Sequence, residues 1–167
     1  MMAEAPHDPA IDSARLVRLV LEGEALTRLD AMLEADRAQA VDDLLHENRF
    51  APLRAETPGP YVLRLSITEG RLAFDIRGQD DAPQHLVALA LGPFRRLIKD
   101  YRMLVDSHAM AVQEGREARI QAIDMGRRGL HNEGAQLLVE RLAGKIAIDF
   151  PTARRLFTLV CVLHQRM

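Results

Sequence analysis

Between Tyr61 and Thr68 apolar and polar residues alternate. Tyr61, Leu63, Leu65 and Ile67 fall on one side and Arg64, Ser66 and Thr68 on the other, the period-two signature of a half-buried strand. Glu69-Gly70 supplies a turn, because glycine takes positive φ freely. Leu72, Phe74 and Ile76 then predict a returning strand. His85 to Leu91 is more continuously apolar and predicts a strand covered on both faces. Leu16 to Leu21 reads as one further short strand, and Pro52, Pro58, Gly59 and Pro60 as a loop.

Elsewhere the spacing is helical. Met32, Leu33, Ala40, Val41, Leu44 and Leu45 predict a helix over about 31–48. After Gly92-Pro93, the positions Phe94, Leu97, Ile98, Tyr101, Leu104, Val105, His108, Ala109 and Val112 form one stripe of a second helix. A third helical region covers Glu117 to Leu142, with a break expected around Gly126 to Gly134. Asp149 before Pro151 reads as a cap and first-turn proline. It opens a last helix with Ala153, Leu156, Phe157, Val160, Cys161 and His164 on one face.

Strands thus come early and helices late. That order predicts an α+β fold: a small, mainly antiparallel sheet of about four strands packed against C-terminal helices. Residues 1–12, acidic and holding Pro6 and Pro9, read as a disordered tail, and 13–167 as a single domain. With 167 residues, 48% apolar, no Trp and two Tyr, the core must be mainly aliphatic. No apolar run approaches the ~20 residues of a membrane-spanning helix, and no basic start leads an apolar secretory stretch. The single cysteine, Cys161, allows no internal disulfide. A cytoplasmic location is the expectation.

Charge is unevenly spread. Residues 1–91 hold 16 acidic and 9 basic side chains, whereas 92–167 hold 8 and 13. The split fits an anion-binding face in the second half, or halves that neutralise each other within the fold or across a homodimer. Arg outnumbers Lys 20 to 2, and arginine suits phosphate and carboxylate recognition.

The most unusual segment runs from Asp124 to Gly134. It sets Gly126, Gly129 and Gly134 around Arg127, Arg128, His131, Asn132 and Glu133. Backbone amides next to glycines can approach an anion and arginines can complete its site, so Arg127, Arg128, His131 and Asn132 are the candidate ligand-binding residues. Asp124 and Glu133 are the candidate acid–base groups. The competing reading is a joint between helices whose glycines permit close packing. Arg127, four residues from both Ile123 and His131, lies near the apolar stripe and needs an acceptor, with Asp124, Asp100, Asp106 and Glu133 as candidates.

Other constellations are weak. Cys161 in an apolar helix reads as an inert core thiol. No ligand spacing predicts a metal site, and no cofactor is expected. Arg95, Arg96, Lys99, Arg102, Arg154 and Arg155 could form a basic patch, but without interleaved aromatics or a reader motif nucleic-acid binding is disfavoured.

The stretches GPYVLRLSITEGRLAFDI, LGPFRRLIKDYRMLVDSHAMAV and IQAIDMGRRGLHNEGAQLLVERLAGKIAIDFPTARRLFTLVCVLH resemble an uncharacterised family of small alphaproteobacterial proteins. The resemblance spans roughly Asn48 to His164. It implies a bacterial cytosolic protein and brings no activity, cofactor or catalytic residue with it. Two functions stand at this point: a non-catalytic binding or regulatory domain that self-associates, and an enzyme or sensor for a small phosphate- or carboxylate-bearing metabolite.

Overall fold

The computed structural model describes residues 13–23 and 31–164, so the tail expected over 1–12 lies outside the described residues. The order is β1 (Leu16–Glu22), α1 (Ala31–His46), β2 (Phe50–Pro52), β3 (Tyr61–Thr68), β4 (Arg71–Arg77) and β5 (Pro83–Ala90). A 3-10 turn at Gly92–Phe94 leads into α2 (Arg95–Gln113), α3 (Glu117–Leu142), β6 (Ile146–Ile148) and α4 (Phe150–Leu163). The α+β class holds. Four strands lie in the order β1-β3-β4-β5, antiparallel except where β1 runs parallel to β3.

The β3–β4 hairpin turns where expected, with Glu69 at φ 53° and Gly70 at φ 73°. Leu63, Leu65, Leu72, Phe74 and Ile76 are fully buried on the face that meets the helices. The expectation for the next strand is corrected. β5 is covered on one face only, with Val87 and Leu89 buried while Leu86, Ala88 and Ala90 are exposed. It is the terminal strand of the sheet, and the helices pack on a single side.

Two other readings change. Pro52 does not belong to a loop: β2 pairs antiparallel with β6 in a second, two-stranded sheet, each strand too short to show a period. The third helix has no break, since α3 runs unbroken for 26 residues through all three glycines. Packing against α2 and α4 outweighs the ~1 kcal/mol that each helical glycine costs. At Gly134 the glycine is needed: a Cβ there would stand 2.3 Å from the Phe157 ring. The joint reading was wrong about the chain path and right about close packing.

The last helix is buried on nearly all sides from Leu156 to Leu163, not on one face, as befits the central helix of a core. It begins as expected: Asp149 Oδ1 accepts from the Thr152 amide at 3.0 Å, with Pro151 in the first turn. Thr152 Oγ1 in turn accepts from the Arg49 amide at 2.9 Å, fastening β2 to α4. Asn48 ties α1 to β1 by accepting from the Leu16 amide at 2.7 Å and donating to the carbonyls of Leu16 and Leu44. These ties hold α1 against α4, and the site lies along that seam.

Candidate functional site

The buried stripe of α1 passes through Leu33, Ala40 and Leu44, and helical spacing places Asp36 on the same side. The stripe of α3 carries Ile123, Ala135 and Leu138 and, on that side, Arg127 and His131. Where the helices meet, Arg127 Nη1 donates to both carboxylate oxygens of Asp36 at 2.8 and 2.9 Å. Its Nη2 reaches Asp124 at 3.4 Å. The Tyr101 hydroxyl of α2 also donates to Asp36. Burial and the Asp36 charge push the Tyr101 phenol well above its ordinary pKa, so it stays protonated as the donor.

His131 sits one turn further along α3. Its ring lies 5.5 Å from Tyr101 and 6.4 Å, edge-on, from Phe157. Nε2 is 3.5 Å from Thr158 Oγ1, a hydroxyl that itself donates to the Arg154 carbonyl. Burial, with the nearby Arg154 and Arg127 charges, lowers the His131 pKa from 6.5 to about 4; Asp36 opposes the shift only in part. The imidazole is therefore neutral near pH 7. Between those two pKa values the unfolded chain holds a proton that the folded chain does not. This group leaves stability unchanged above about pH 6.5 and lowers it as pH falls toward 4. We predict that urea unfolding at pH 5 gives a stability about 2 kcal/mol below that at pH 7, and that His131→Gln flattens much of this slope. An equal slope in the variant would refute the assignment.

His131, Arg127 and Arg128 line a cleft of about 220 Å³ between α1, α3 and α4, together with Arg154, Arg155 and Thr158. Asp36, Gln39 and Asp43 form the α1 wall. The arginines differ in their state. Arg127 is occupied by Asp36 and Asp124. Among the described residues Arg128 and Arg154 take part in no ion pair, and Arg154 Nε is buried without a hydrogen-bond partner. Arg155 makes a long contact to the Glu47 carbonyl.

The other residues singled out in the sequence lie elsewhere. Asn132 is exposed and outside the lining of the cleft. Glu133 accepts from Arg96, which also pairs with Asp100. Asp124 lines a neighbouring cavity beyond the Asp36–Arg127 bridge. The basic set does not assemble into one patch: Arg154 and Arg155 face the cleft, whereas Arg96 is held by Glu133 and Asp100. Cys161 is fully buried and its thiol pKa is raised by that burial. No group of His, Cys, Asp or Glu among the described residues could hold a metal ion.

Sequence reasoning missed Asp36 and Thr158, and it grouped Arg154 and Arg155 with a basic patch and not with Arg127, Arg128 and His131. For Asp36 the signal was present as an acid three residues after Leu33 and four before Ala40, on an apolar stripe. A charge there needs a partner from a facing helix.

These features define an α+β protein with a cationic cleft between helices, and no described helix is long and apolar enough to cross a membrane. The chain belongs to the UPF0262 family, whose model, described as "Uncharacterised protein family (UPF0262)", matches residues 13–166. A UPF0262 protein of Granulibacter bethesdensis is 70% identical over 162 residues, covering 93% of this chain and 92% of that relative. One from Maricaulis maris is 52% identical over 152 residues, 91% and 94% of the two chains. Another from a Bradyrhizobium strain is 48% identical over 159 residues, 95% of each. The resemblance read from the sequence is thereby shown. No solved structure matches the chain.

Proposed function

We propose that this protein is a non-catalytic cytosolic binding domain whose ligand is a small phosphate- or carboxylate-bearing anion, held in the cleft by Arg128, Arg154 and Arg155. The observation that carries the reading is the convergence on one open cleft of Arg128, Arg154 and Arg155, none of which forms an ion pair among the described residues. Guanidinium groups without a carboxylate partner offer an anion charge-assisted bonds. His131, neutral at the floor, adds no positive charge but offers a ring nitrogen. An enzymatic reading is less well supported. Asp124 and Glu133, the acid–base groups proposed from the sequence, are each engaged by an arginine, and neither lines the cleft, so neither stands beside the bound anion.

Thermal unfolding with inorganic phosphate tests this. At tenfold excess over Kd we expect Tm to rise by about 4 °C, and Arg128→Ala and Arg154→Ala each to remove most of the rise. The same shift with chloride at equal ionic strength, or full shifts in both variants, would reject the site. Self-association is a second reading, favoured by the free edge of β5 with Leu86 61% exposed on it. A monomer in sedimentation at every protein concentration would discard it.

A further inference from the structure

The Asp36–Arg127 bridge lines two cavities, not one. On the side away from Arg128, a larger hollow of about 690 Å³ opens between α1, α2 and α3, well within the range of small-molecule sites. Its walls are mainly apolar: Met32, Ala35, Val105, Ala109 and Val112. His108 and Asp124 supply the polar lining besides the bridge. Val112, although apolar, is 54% exposed there. The two hollows therefore adjoin along α1, the one apolar toward Ala31 and the other cationic toward Asp43, with the ion pair as a crossbar between them.

We propose that the adjoining hollows bind a soluble, single-chain amphiphile, its anionic phosphate or carboxylate head against Arg128, Arg154 and Arg155 and its alkyl part across the crossbar against Ala35, Ala109 and Val112. The inference rests on the anion-cleft reading and adds the tail. Charge complementarity selects the occupant. A neutral apolar ligand would leave the arginines unanswered, and a small inorganic anion would leave the apolar half in water. The crossbar tolerates such a ligand because Asp36 and Arg127 already neutralise each other, so the alkyl chain passes a closed ion pair and not a free charge. In an open groove each methylene is only partly buried, and affinity rises about twofold per methylene.

Calorimetric titration of the full chain with inorganic phosphate, butyl, hexyl and octyl phosphate, and octanol, all below micelle-forming concentrations, tests the inference. We expect saturable 1:1 binding, octyl phosphate at least tenfold tighter than inorganic phosphate, and no measurable binding of octanol. Ala109→Glu, at an exposed position, should abolish the chain-length dependence. Arg128→Ala, also exposed, should weaken every phosphate tenfold or more. If inorganic phosphate binds but octyl phosphate binds no tighter, the tail site falls and the anion cleft stands. If no phosphate binds, both fall. Octanol binding as well as octyl phosphate, or binding seen only with phosphatidic-acid vesicles and not with monomeric octyl phosphate, would also overturn the proposal.

Discussion

Asp36→Ala is expected to lower stability by about 3 kcal/mol, or about 8 °C in Tm for a chain of this length. The side chains of Asp36 and Arg127 are only 16% and 24% exposed. Removing the carboxylate leaves a largely desolvated guanidinium with the weaker Asp124 contact at 3.4 Å and takes the acceptor from the Tyr101 hydroxyl. Most of the loss is the cost of stranded partners, not the net value of the bridge. Replacing Asp36, Arg127 and Tyr101 together by Leu, Met and Phe should therefore recover most of it. Urea unfolding of the single and triple variants checks both parts. A single variant within 0.5 kcal/mol of the parent, or a triple variant no better than the single, would contradict the account.

Two glycines of α3 are expected to respond with opposite sign. Gly134→Ala places a methyl 2.3 Å from the fully buried Phe157 ring, which has no free space to move into. Overpacking of this kind costs about 1–3 kcal/mol and exceeds the ~1 kcal/mol that alanine gains as a helix former. Gly129→Ala meets nothing within 4 Å and keeps the whole propensity gain, about 1 kcal/mol. Midpoints of urea denaturation should move in opposite directions with unchanged slopes. A stabilised Gly134→Ala would mean that α3 and α4 do not approach as closely as described.

What the sequence made legible depended on whether neighbouring residues or distant ones decide the structure. The β3–β4 hairpin and the Asp149 cap are local. Alternation, a glycine turn and an acid before proline specify them within a few positions, and they stand where expected. The β2–β6 ladder has three residues per strand, too few for any period, and exists only because its partners meet in space. The glycines of α3 pointed to a break because propensity is a local quantity, whereas the helix is held together by α2 and α4. The candidate site was half legible for the same reason. Arg127, Arg128 and His131 share a segment and share the cleft, but the acceptor of Arg127 came from another helix, 91 positions away. Asn132, adjacent in sequence to His131, faces away because successive helical residues are ~100° apart.

The β2–β6 pairing also bears on the order in which the chain assembles. The Arg49–Thr152 hydrogen bond beside it closes a loop of 103 positions, and closure over such a length costs about 4 kcal/mol in chain entropy. A few ladder bonds cannot offset that alone. The clasp must wait until the β3–β4–β5 meander and the docked helices have brought its strands together. We expect it to be the last pairing to close during folding.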